Sequence, residues 1–281
     1  RKDIEFILGD IRDYDSVINA VSQSSSIIHL AALIGIPYSY VSPLAYIKTN
    51  IEGTYNVLEA AKNNRIDQTI ITSTSEIYGT AKYVPIDENH PINSQSPYAA
   101  SKASADQLAI SYYHSFNLPI TILRPFNTFG PRQSMRAVIP TIIGQVINSN
   151  KINIGNLKPT RDFTFVTDTV DAFSKAIKAT KINGEVINIG SNFEVSIKEI
   201  IQMVASITNR KVLIKKDRQR VRPKSSEVDR LVCSNKKAKK LLKWSPSSGG
   251  KKGFKKALAK TIKWFSNKEN LKLYKSKIYN V

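Results

Sequence analysis

Short apolar segments alternate with longer helical patterns along the first 125 residues of this chain. The helical patterns are each followed by an apolar segment of strand length, which is the signature of parallel βαβ units. The strand-like segments are residues 4–8, 26–30, 69–72 and 119–123, and the helical patterns are residues 14–21, 43–63 and 97–116. Because these strands are continuously apolar, we expect a parallel sheet that is buried on both faces.

The alternation becomes less regular beyond Arg124. Helical patterns at residues 137–148 and 197–208 are separated by short extended segments at residues 152–154, 163–166 and 186–189. The pattern predicts an α/β protein with a doubly wound, Rossmann-like sheet and a smaller second lobe. We place the Rossmann domain in residues 1–130 and most of the second lobe in residues 131–281, with some segments of the latter returning to the sheet.

The charge of the chain is concentrated in its last quarter. The formal net charge is +20, and residues 210–281 hold 24 Lys and Arg against 4 Asp and Glu, whereas the remainder holds 18 of each sign. Such a field attracts polyanions. Lysine dominates and no nucleic-acid-binding motif accompanies it, so a solvated basic surface is the simpler interpretation and we predict no specific nucleic-acid partner.

Several protein classes are disfavoured by the sequence. The longest apolar runs, such as residues 26–36, are well short of the ~20 residues that a membrane helix needs. The first residues do not read as a signal peptide. A single cysteine, Cys233, permits no internal disulfide and suits a reducing cytoplasm, where it is expected to act as a small apolar filler. We identify no metal-binding cluster.

Tyr98 and Lys102 are the first candidate catalytic pair. A spacing of four places both side chains on one face of the predicted helix. An ammonium beside a phenol favours the phenolate, so we expect the pKa of Tyr98 to be lowered toward the working pH, as a general base requires. The spacing alone is also typical of ordinary surface pairs.

The ends of two predicted strands carry further candidates. Thr72-Ser73-Thr74-Ser75-Glu76-Ile77-Tyr78-Gly79 follows a buried strand, where the ligand crevice of a doubly wound sheet lies. Strand-end capping explains one or two of these hydroxyls but not the carboxylate of Glu76. The segment His29-Leu30-Ala31-Ala32 ends another strand with small residues, which allow either a flat ring or a packed helix to approach the backbone.

Seven ordered motifs resemble one known family. They are Gly9-Asp10-Ile11-Arg12-Asp13, His29-Leu30-Ala31-Ala32, Asn50-x-x-Gly53-Thr54, Ser73-Thr74-Ser75-Glu76-Ile77-Tyr78-Gly79, Tyr98-x-x-x-Lys102, Arg124-Pro125-Phe126-Asn127-Thr128-Phe129-Gly130-Pro131 and Arg161-Asp162-Phe163-x-Phe165-Val166-x-Asp168. Over essentially the whole chain the sequence is similar to the NAD-dependent epimerase/dehydratase family of extended short-chain dehydrogenase/reductases. Within it, residues 32–40 add to a likeness to nucleotide-sugar 4,6-dehydratases of the N-acetylglucosamine type found in legionaminic-acid and related pathways.

The resemblance implies a catalytic role for each of several residues. Tyr98 takes the proton from the sugar C4 hydroxyl, Lys102 holds the nicotinamide ribose, and Thr74 hydrogen-bonds the C4 oxygen. Glu76 removes the C5 proton as water leaves from C6. Ser75 stands where many dTDP-glucose dehydratases have the aspartate that protonates the leaving hydroxyl, so Glu76 is expected to act as both base and acid.

The resemblance also implies binding residues. Around NAD it places Asp10, Ile11, Leu30, Ala31, Ala32, Asn50 and Thr72, together with Tyr98 and Lys102. For a nucleoside-diphosphate sugar it implies Asn127, Arg161, Arg222 and Glu227, of which the two arginines suit a diphosphate. A plain surface charge in the basic tail is nearly as good an explanation of Arg222. Family members imply a homodimer formed through the helices at residues 43–63 and 97–116.

Two other functions stay open at this level. UDP-glucuronate decarboxylases also carry Thr-Ser-Glu, and 4-epimerases share the scaffold although they need no base at C5. A third possibility, from a different class, is an inactive truncated polypeptide that binds a polyanion through residues 210–281.

The start of the chain has no Gly-x-x-Gly-x-x-Gly or Gly-x-Gly-x-x-Gly sequence. Dinucleotide folds bind the pyrophosphate at such a turn, between the first strand and the first helix. Compared with the family, roughly 50 residues that include the first βαβ portion are expected to be missing before Gly9.

The 281-residue chain made alone is therefore expected to bind NAD poorly and to be marginally folded, because the phosphate turn and a central strand are absent. Titration of NAD into the purified chain, with a thermal melt, measures both properties. Micromolar binding together with a cooperative melt would contradict this expectation.

Overall fold

The computed structural model describes residues 3–274. Within that range, strands β1 to β10 are Ser26–His29, Gln68–Thr72, Ile120–Pro125, Asn127–Phe129, Lys151–Ile154, Thr160–Phe165, Val186–Ile189, Glu194–Ser196, Leu213–Lys216 and Arg230–Leu231. Helices α1 to α11 are Tyr14–Val21, Ile36–Val41, Pro43–Tyr46, Gly53–Asn63, Pro97–Phe116, Val138–Asn148, Val166–Ala176, Ile197–Thr208, Lys236–Leu242, Gly250–Phe265 and Lys268–Lys272.

Strands β1, β2, β3 and β7 form a parallel sheet in that order. Neighbouring residues of β2 point to opposite faces: Ile70 packs in a cluster with α7 and α9, and Ile71 packs with α4 and α5. Helices therefore cover both faces of the sheet. The predicted doubly wound parallel α/β architecture is confirmed, and β7 shows that the chain returns to this sheet after residue 131.

A second group of elements surrounds an aromatic core. Strands β10, β6 and β4 pair in parallel, β8 adds to β6 in the antiparallel sense, and β5 pairs with β9. Helices α6, α8 and α10 pack against these strands around Phe129, Phe163 and Phe254. β4 and Phe129 precede residue 131, and the other segments of this group fall within residues 131–281.

Helix ends coincide with local capping signals. The Ser96 side chain accepts a hydrogen bond from the backbone N–H of Ala99, Pro97 occupies the first turn, and α5 then continues to Phe116. At α8, Ser196 and Glu199 form a reciprocal capping box. The predicted bounds of α5 and α8 are correct for this reason.

Residues 4–8 are not a strand, and that prediction is wrong. They have no regular structure, and Phe6 is 90% exposed. A strand needs a partner for its backbone N–H and C=O groups, and none of the described residues pairs with this segment. The adjacent prediction of a buried strand at residues 26–30 is wrong about burial: β1 lies at the edge of the described sheet, and Ile28 is 40% exposed.

The predicted helix at residues 43–63 is helical throughout but changes type. A π-helical stretch, Ile47–Glu52, separates α3 from α4. Directly after it, Gly53 lies against Ile11, so closely that an added Cβ would be 2.5 Å from the Ile11 Cδ1 atom. The widened turn brings Asn50 to a buried position, which matters for the site described below.

Asp168 anchors the turn that leads into α10. Its carboxylate accepts hydrogen bonds from the backbone N–H groups of Ser247 and Ser248 and from the Ser247 hydroxyl. We expect Asp168→Asn to lower the free energy of unfolding by about 1–3 kcal/mol, because an amide cannot accept all three bonds. Asp171→Asn on the exposed side of α7 is the matched control, with an expected effect below about 0.5 kcal/mol. Equal effects in urea denaturation would contradict the assignment.

Candidate active site

The candidate site lies at the carboxyl ends of β1 and β2, next to the first turns of α5. Thr72 ends β2, and the chain then turns through a 3-10 turn at Ser75–Tyr78. The Thr74 hydroxyl caps this turn by accepting from the backbone N–H of Glu76 at 3.2 Å. Tyr98 lies in the first turn of α5 and Lys102 one turn further, so two elements distant in sequence meet here.

Tyr98 is buried, and burial raises the pKa of its phenol. The negative charge of Glu76 raises the pKa further, whereas a hydrogen bond from Thr74 lowers it. The predicted lowering of the Tyr98 pKa by Lys102 is therefore wrong for this side-chain arrangement. Because Thr74 stabilises the phenolate, it is the neighbour that favours the deprotonated form of Tyr98, which a general base requires.

The Lys102 ammonium is directed to the protein backbone. Its Nζ donates to the carbonyl oxygen of Thr72 at 2.6 Å, and burial lowers the pKa of Lys102, while Asp106 opposes that effect. This contact explains why Lys102 does not dominate the titration of Tyr98. It also ties α5 to the end of β2, so both candidate catalytic elements keep a fixed separation.

Glu76 connects the phenol to a cluster of charges. The carboxylate lies 3.9 Å from Arg161 Nε, and both side chains are buried. Beside it, the Ser75 hydroxyl is buried and has no hydrogen-bond partner among residues 3–274. Burial lowers the pKa of Arg161, and the nearby Glu76 charge partly offsets this.

The structure brings together three of the four residues predicted to bind the nucleotide sugar. Glu227 lies 3.8 Å from Arg161 Nη2 and 3.9 Å from Arg222 Nη1. Asn127 begins β4, which pairs with β6 two residues beyond Arg161. These distances exceed those of hydrogen bonds, so the groups keep donors and acceptors that a ligand can use.

Asn50 joins the cofactor side of the site to α5. Its side chain exchanges two hydrogen bonds with the backbone of Leu33, at 2.8 and 3.0 Å, and donates to the Ser101 hydroxyl at 2.9 Å. All its polar atoms are thus used within the protein. In this structure Asn50 fixes the segment after β1 rather than presenting a free group to a ligand.

The other residues predicted to bind NAD line the edge of the sheet. Leu30 and Ala31 are exposed and Ala32 is half-buried after β1, while Ile11 packs beside α4. Asp10 is exposed, and its paired hydrogen bonds with Arg12 lower the pKa of its carboxyl to about 2. The Thr72 hydroxyl is buried without a hydrogen-bond partner in the described part of the chain. An apolar shelf beside an unpaired hydroxyl fits a dinucleotide.

A buried ion pair lies behind these residues and was missed by sequence reasoning. Asp106 Oδ2 accepts from Arg124 Nε at 3.0 Å and from the Ser73 hydroxyl at 2.7 Å. Arg124 also donates to the Tyr78 hydroxyl, which donates to Asn188 of β7. Asp106 follows Lys102 by four residues, so the helical spacing that pairs Tyr98 with Lys102 was the available signal.

Comparison with known proteins identifies what this chain is similar to. The family model described as GDP-mannose 4,6 dehydratase matches residues 1–257. The human dTDP-D-glucose 4,6-dehydratase is 32% identical, over 98% of this chain and 78% of its own length. The UDP-N-acetyl-alpha-D-glucosaminuronate decarboxylase of Bacillus cytotoxicus is 33% identical, over 92% of this chain and 82% of its own.

Solved structures show the same likeness. The UDP-glucuronic acid 4-epimerase of Bacillus cereus, in complex with UDP-glucuronic acid and NAD, is 30% identical with a TM-score of 0.84. The match covers 95% of this chain and 81% of that one. Within residues 3–274, no helix is long and apolar enough to cross a membrane.

Protonation of the buried His29 side chain should make the stability of the folded protein depend on pH. Thr54 donates to the carbonyl of Asn50, so the His29 Nε2–H must donate to the Thr54 hydroxyl, and burial lowers the pKa of His29 from 6.5 to about 4. A folded-state pKa below the unfolded one means that stability present above pH 6.5 is lost as the pH falls toward 4. We expect this loss, at most about 3 kcal/mol, to be largely absent in His29→Gln, which retains a donor.

Urea denaturation between these pH values measures the effect. His114→Gln, at an exposed position of α5, is the matched control and should keep the dependence of the natural protein. An unchanged pH dependence in His29→Gln would contradict the role of His29.

Proposed function

Because the chain belongs to the GDP-mannose 4,6-dehydratase family of NAD-dependent epimerases and dehydratases, we propose that it is an NAD-dependent nucleotide-sugar 4,6-dehydratase, a lyase. Its substrate is a nucleoside-diphosphate N-acetylglucosamine, and its product serves surface-polysaccharide synthesis. The likeness of residues 32–40 to dehydratases of that type supports the choice of sugar.

The observation that carries the proposal is that Glu76 interacts with both the Tyr98 phenol and Arg161. Its charge acts on the Tyr98 phenol, and its carboxylate lies 3.9 Å from Arg161. A 4,6-dehydratase needs a base for the C4 hydroxyl and a second base for C5 within one sugar-sized space. A buried phenol and a buried carboxylate that interact meet this requirement.

NAD is the cofactor, and the described residues suit it. Leu30, Ala31 and Ala32 offer a shelf at the end of β1, and the unpaired Thr72 hydroxyl and the Lys102 ammonium lie at the end of β2. NAD bound there would supply a hydride acceptor for C4 and a hydride donor for C6. Lys102 can exchange its contact with the Thr72 carbonyl for one with the cofactor ribose.

The side chains of the chain handle the protons of each step. Tyr98 receives the proton of the C4 hydroxyl, and Thr74 donates a hydrogen bond that stabilises negative charge on Tyr98. The resulting C4 ketone acidifies the C5 proton, which Glu76 removes. As the bond between C6 and its hydroxyl breaks, a proton joins the leaving group and water departs. Hydride then returns to C6, and C5 receives the proton that Tyr98 took from the C4 hydroxyl, which restores the phenolate and completes the cycle.

Glu76 supplies the proton to the leaving hydroxyl in this scheme. Ser75 is not acidic enough to replace an aspartate, although its unpaired hydroxyl is suited to orient the C6 oxygen. One carboxylate then takes a proton from C5 and gives it to C6. Arg161 lies 3.9 Å from this carboxylate.

A decarboxylase is the second candidate, and Arg161 is the observation that favours it. A uronate substrate needs a cation near its C6 carboxylate, and Arg161 lies beside Glu76. The 33% identity to a decarboxylase agrees with this alternative. A 4-epimerase is less suited to the site because that reaction leaves C5 untouched and gives Glu76 no task.

We also propose a cytoplasmic homodimer without specific nucleic-acid binding. Exposed apolar side chains on the predicted dimer helices, Tyr55 of α4 and Phe116 of α5, support self-association. In the basic region, residues 275–281 lie outside the described residues. The lysines of α10, such as Lys252 and Lys255, are exposed as expected of a solvated surface.

Substrate assays with the natural protein test the proposal. The enzyme is incubated with NAD and UDP- or GDP-N-acetylglucosamine, UDP-glucuronate or dTDP-glucose. A 4-keto-6-deoxy product that absorbs in alkali supports the dehydratase, and released carbon dioxide supports the decarboxylase. Salt-dependent retention of nucleic acid with no turnover of any sugar would overturn both.

Glu76→Gln separates the two proton transfers. We expect C4 oxidation to continue while elimination falls by about 10²–10⁴-fold, because the amide cannot take the C5 proton. Reduced cofactor should then accumulate, which its absorbance measures. Glu269→Gln, at an exposed position of α11, is the matched control and should behave as the natural enzyme. Normal product formation by Glu76→Gln would show that another group is the base.

A further inference from the structure

The segment from Arg222 to Asp229 carries two of the charges at the nucleotide end of the site but has little regular structure. A single 3-10 turn, Lys224–Ser226, is its only element. The backbone N–H and C=O groups of such a segment need partners from outside it. Its conformation therefore depends on whichever side chains supply them.

Gln95 supplies two of these partners. Its Nε2 donates to the carbonyl oxygens of Ser225 and Glu227, at 2.9 and 3.1 Å, and its Oε1 accepts from the backbone N–H of Thr80 at 2.6 Å. Two carbonyls need donors and one N–H needs an acceptor, so only one orientation of the amide satisfies all three. One side chain thereby holds the backbone on both sides of Ser226.

Neighbouring groups complete the attachment. The Ser226 hydroxyl donates to the carbonyl of Gln95 at 2.5 Å, so the Tyr40 hydroxyl, 2.6 Å away, must donate to Ser226. The Thr80 hydroxyl accepts from the backbone N–H of Asp229. Tyr40 belongs to α2, so this chain of bonds reaches from the segment after β1 to the segment that carries Glu227.

Gly79 allows Gln95 to reach this position. Its φ is +64°, in the left-handed region, and an added Cβ would be 2.3 Å from the carbonyl oxygen of Asn93 and 2.5 Å from Gln95 Oε1. A side chain here would displace the amide. The turn after Glu76 is thus shaped around the Gln95 carboxamide.

We infer that Gln95 is a positioning residue that sets the distance between the two ends of the substrate site. Tyr98, three residues after Gln95, acts at the sugar. The Gln95 carboxamide holds the backbone of Glu227, whose carboxylate contacts Arg161 and Arg222. A nucleoside-diphosphate sugar must engage both ends at once. This inference rests on the proposed function, and Tyr40 and Ser226 extend the same attachment to α2.

Gln95→Glu tests the inference because it keeps the shape but removes both donors and directs a carboxylate at two carbonyls. We expect the KM for the nucleotide sugar, and the Kd for its nucleoside diphosphate, to rise about tenfold or more. Turnover at saturation should stay within about threefold, and the Kd for NAD should not change. Gln202→Glu, at an exposed position of α8, is the matched control for the added charge.

Tyr40→Phe and Ser226→Ala test the rest of the attachment. Each should raise the KM by a smaller factor in the same direction, and the double variant should be no worse than Ser226→Ala, since both remove one shared bond. Amide exchange should be faster across residues 225–229 in Gln95→Glu. That local readout keeps the test decisive if the variant is also less stable.

The results that would overturn this inference differ from those that would refute the proposed function. An unchanged KM and unchanged amide exchange in Gln95→Glu, with an active natural enzyme, would overturn the inference alone. A fall in turnover at saturation with KM unchanged would also overturn it, because it would place Gln95 in the chemistry. Absence of nucleotide-sugar turnover and of nucleoside-diphosphate binding in the natural enzyme would instead refute the proposed function.

Discussion

Asp106 and Arg124 are opposite charges buried between α5 and the carboxyl end of β3, in contact at 3.0 Å. The same carboxylate oxygen accepts from Ser73 after β2, and the same guanidinium donates to Tyr78 of the turn that carries Glu76. Two strands, a helix and a turn thus meet at one ion pair. Moving α5 along the sheet by one residue would separate Asp106 from both Arg124 and Ser73.

That ion pair contributes more to selecting one register of α5 than to the free energy of unfolding. Burying each ion costs several kcal/mol, which the mutual attraction roughly offsets, whereas removing one partner leaves an unpaired buried charge at about 3–5 kcal/mol. Alternative registers of α5 are penalised by a similar amount. The consequence for function is that Tyr98 and Lys102, on the same helix, have one position relative to Thr74 and Glu76.

The charges that face the ligand are arranged differently. Glu76, Arg161 and Glu227 approach each other only to 3.8–3.9 Å, beyond hydrogen-bond distance, whereas Asp106 is in direct hydrogen-bond contact with its partners. Groups that do not fully satisfy each other's hydrogen-bonding capacity can still form hydrogen bonds with a substrate. Burial and hydrogen bonding therefore separate residues that shape the site from residues that are free to act in it.

The sequence by itself determined the elements whose signals are local. Capping at Ser96 and Ser196 set the starts of α5 and α8, and the apolar pattern of β2 and β3 set a parallel sheet, because these signals lie within a few residues of the element. The candidate residues Tyr98, Thr74 and Glu76 were also readable, since strand ends of such a sheet converge. Only the tertiary structure decided that residues 4–8 form no strand, that burial raises the pKa of Tyr98, and that Gln95 holds the backbone of Glu227. Pairing, desolvation and contacts between segments more than 100 residues apart depend on neighbours in space, which no local pattern encodes.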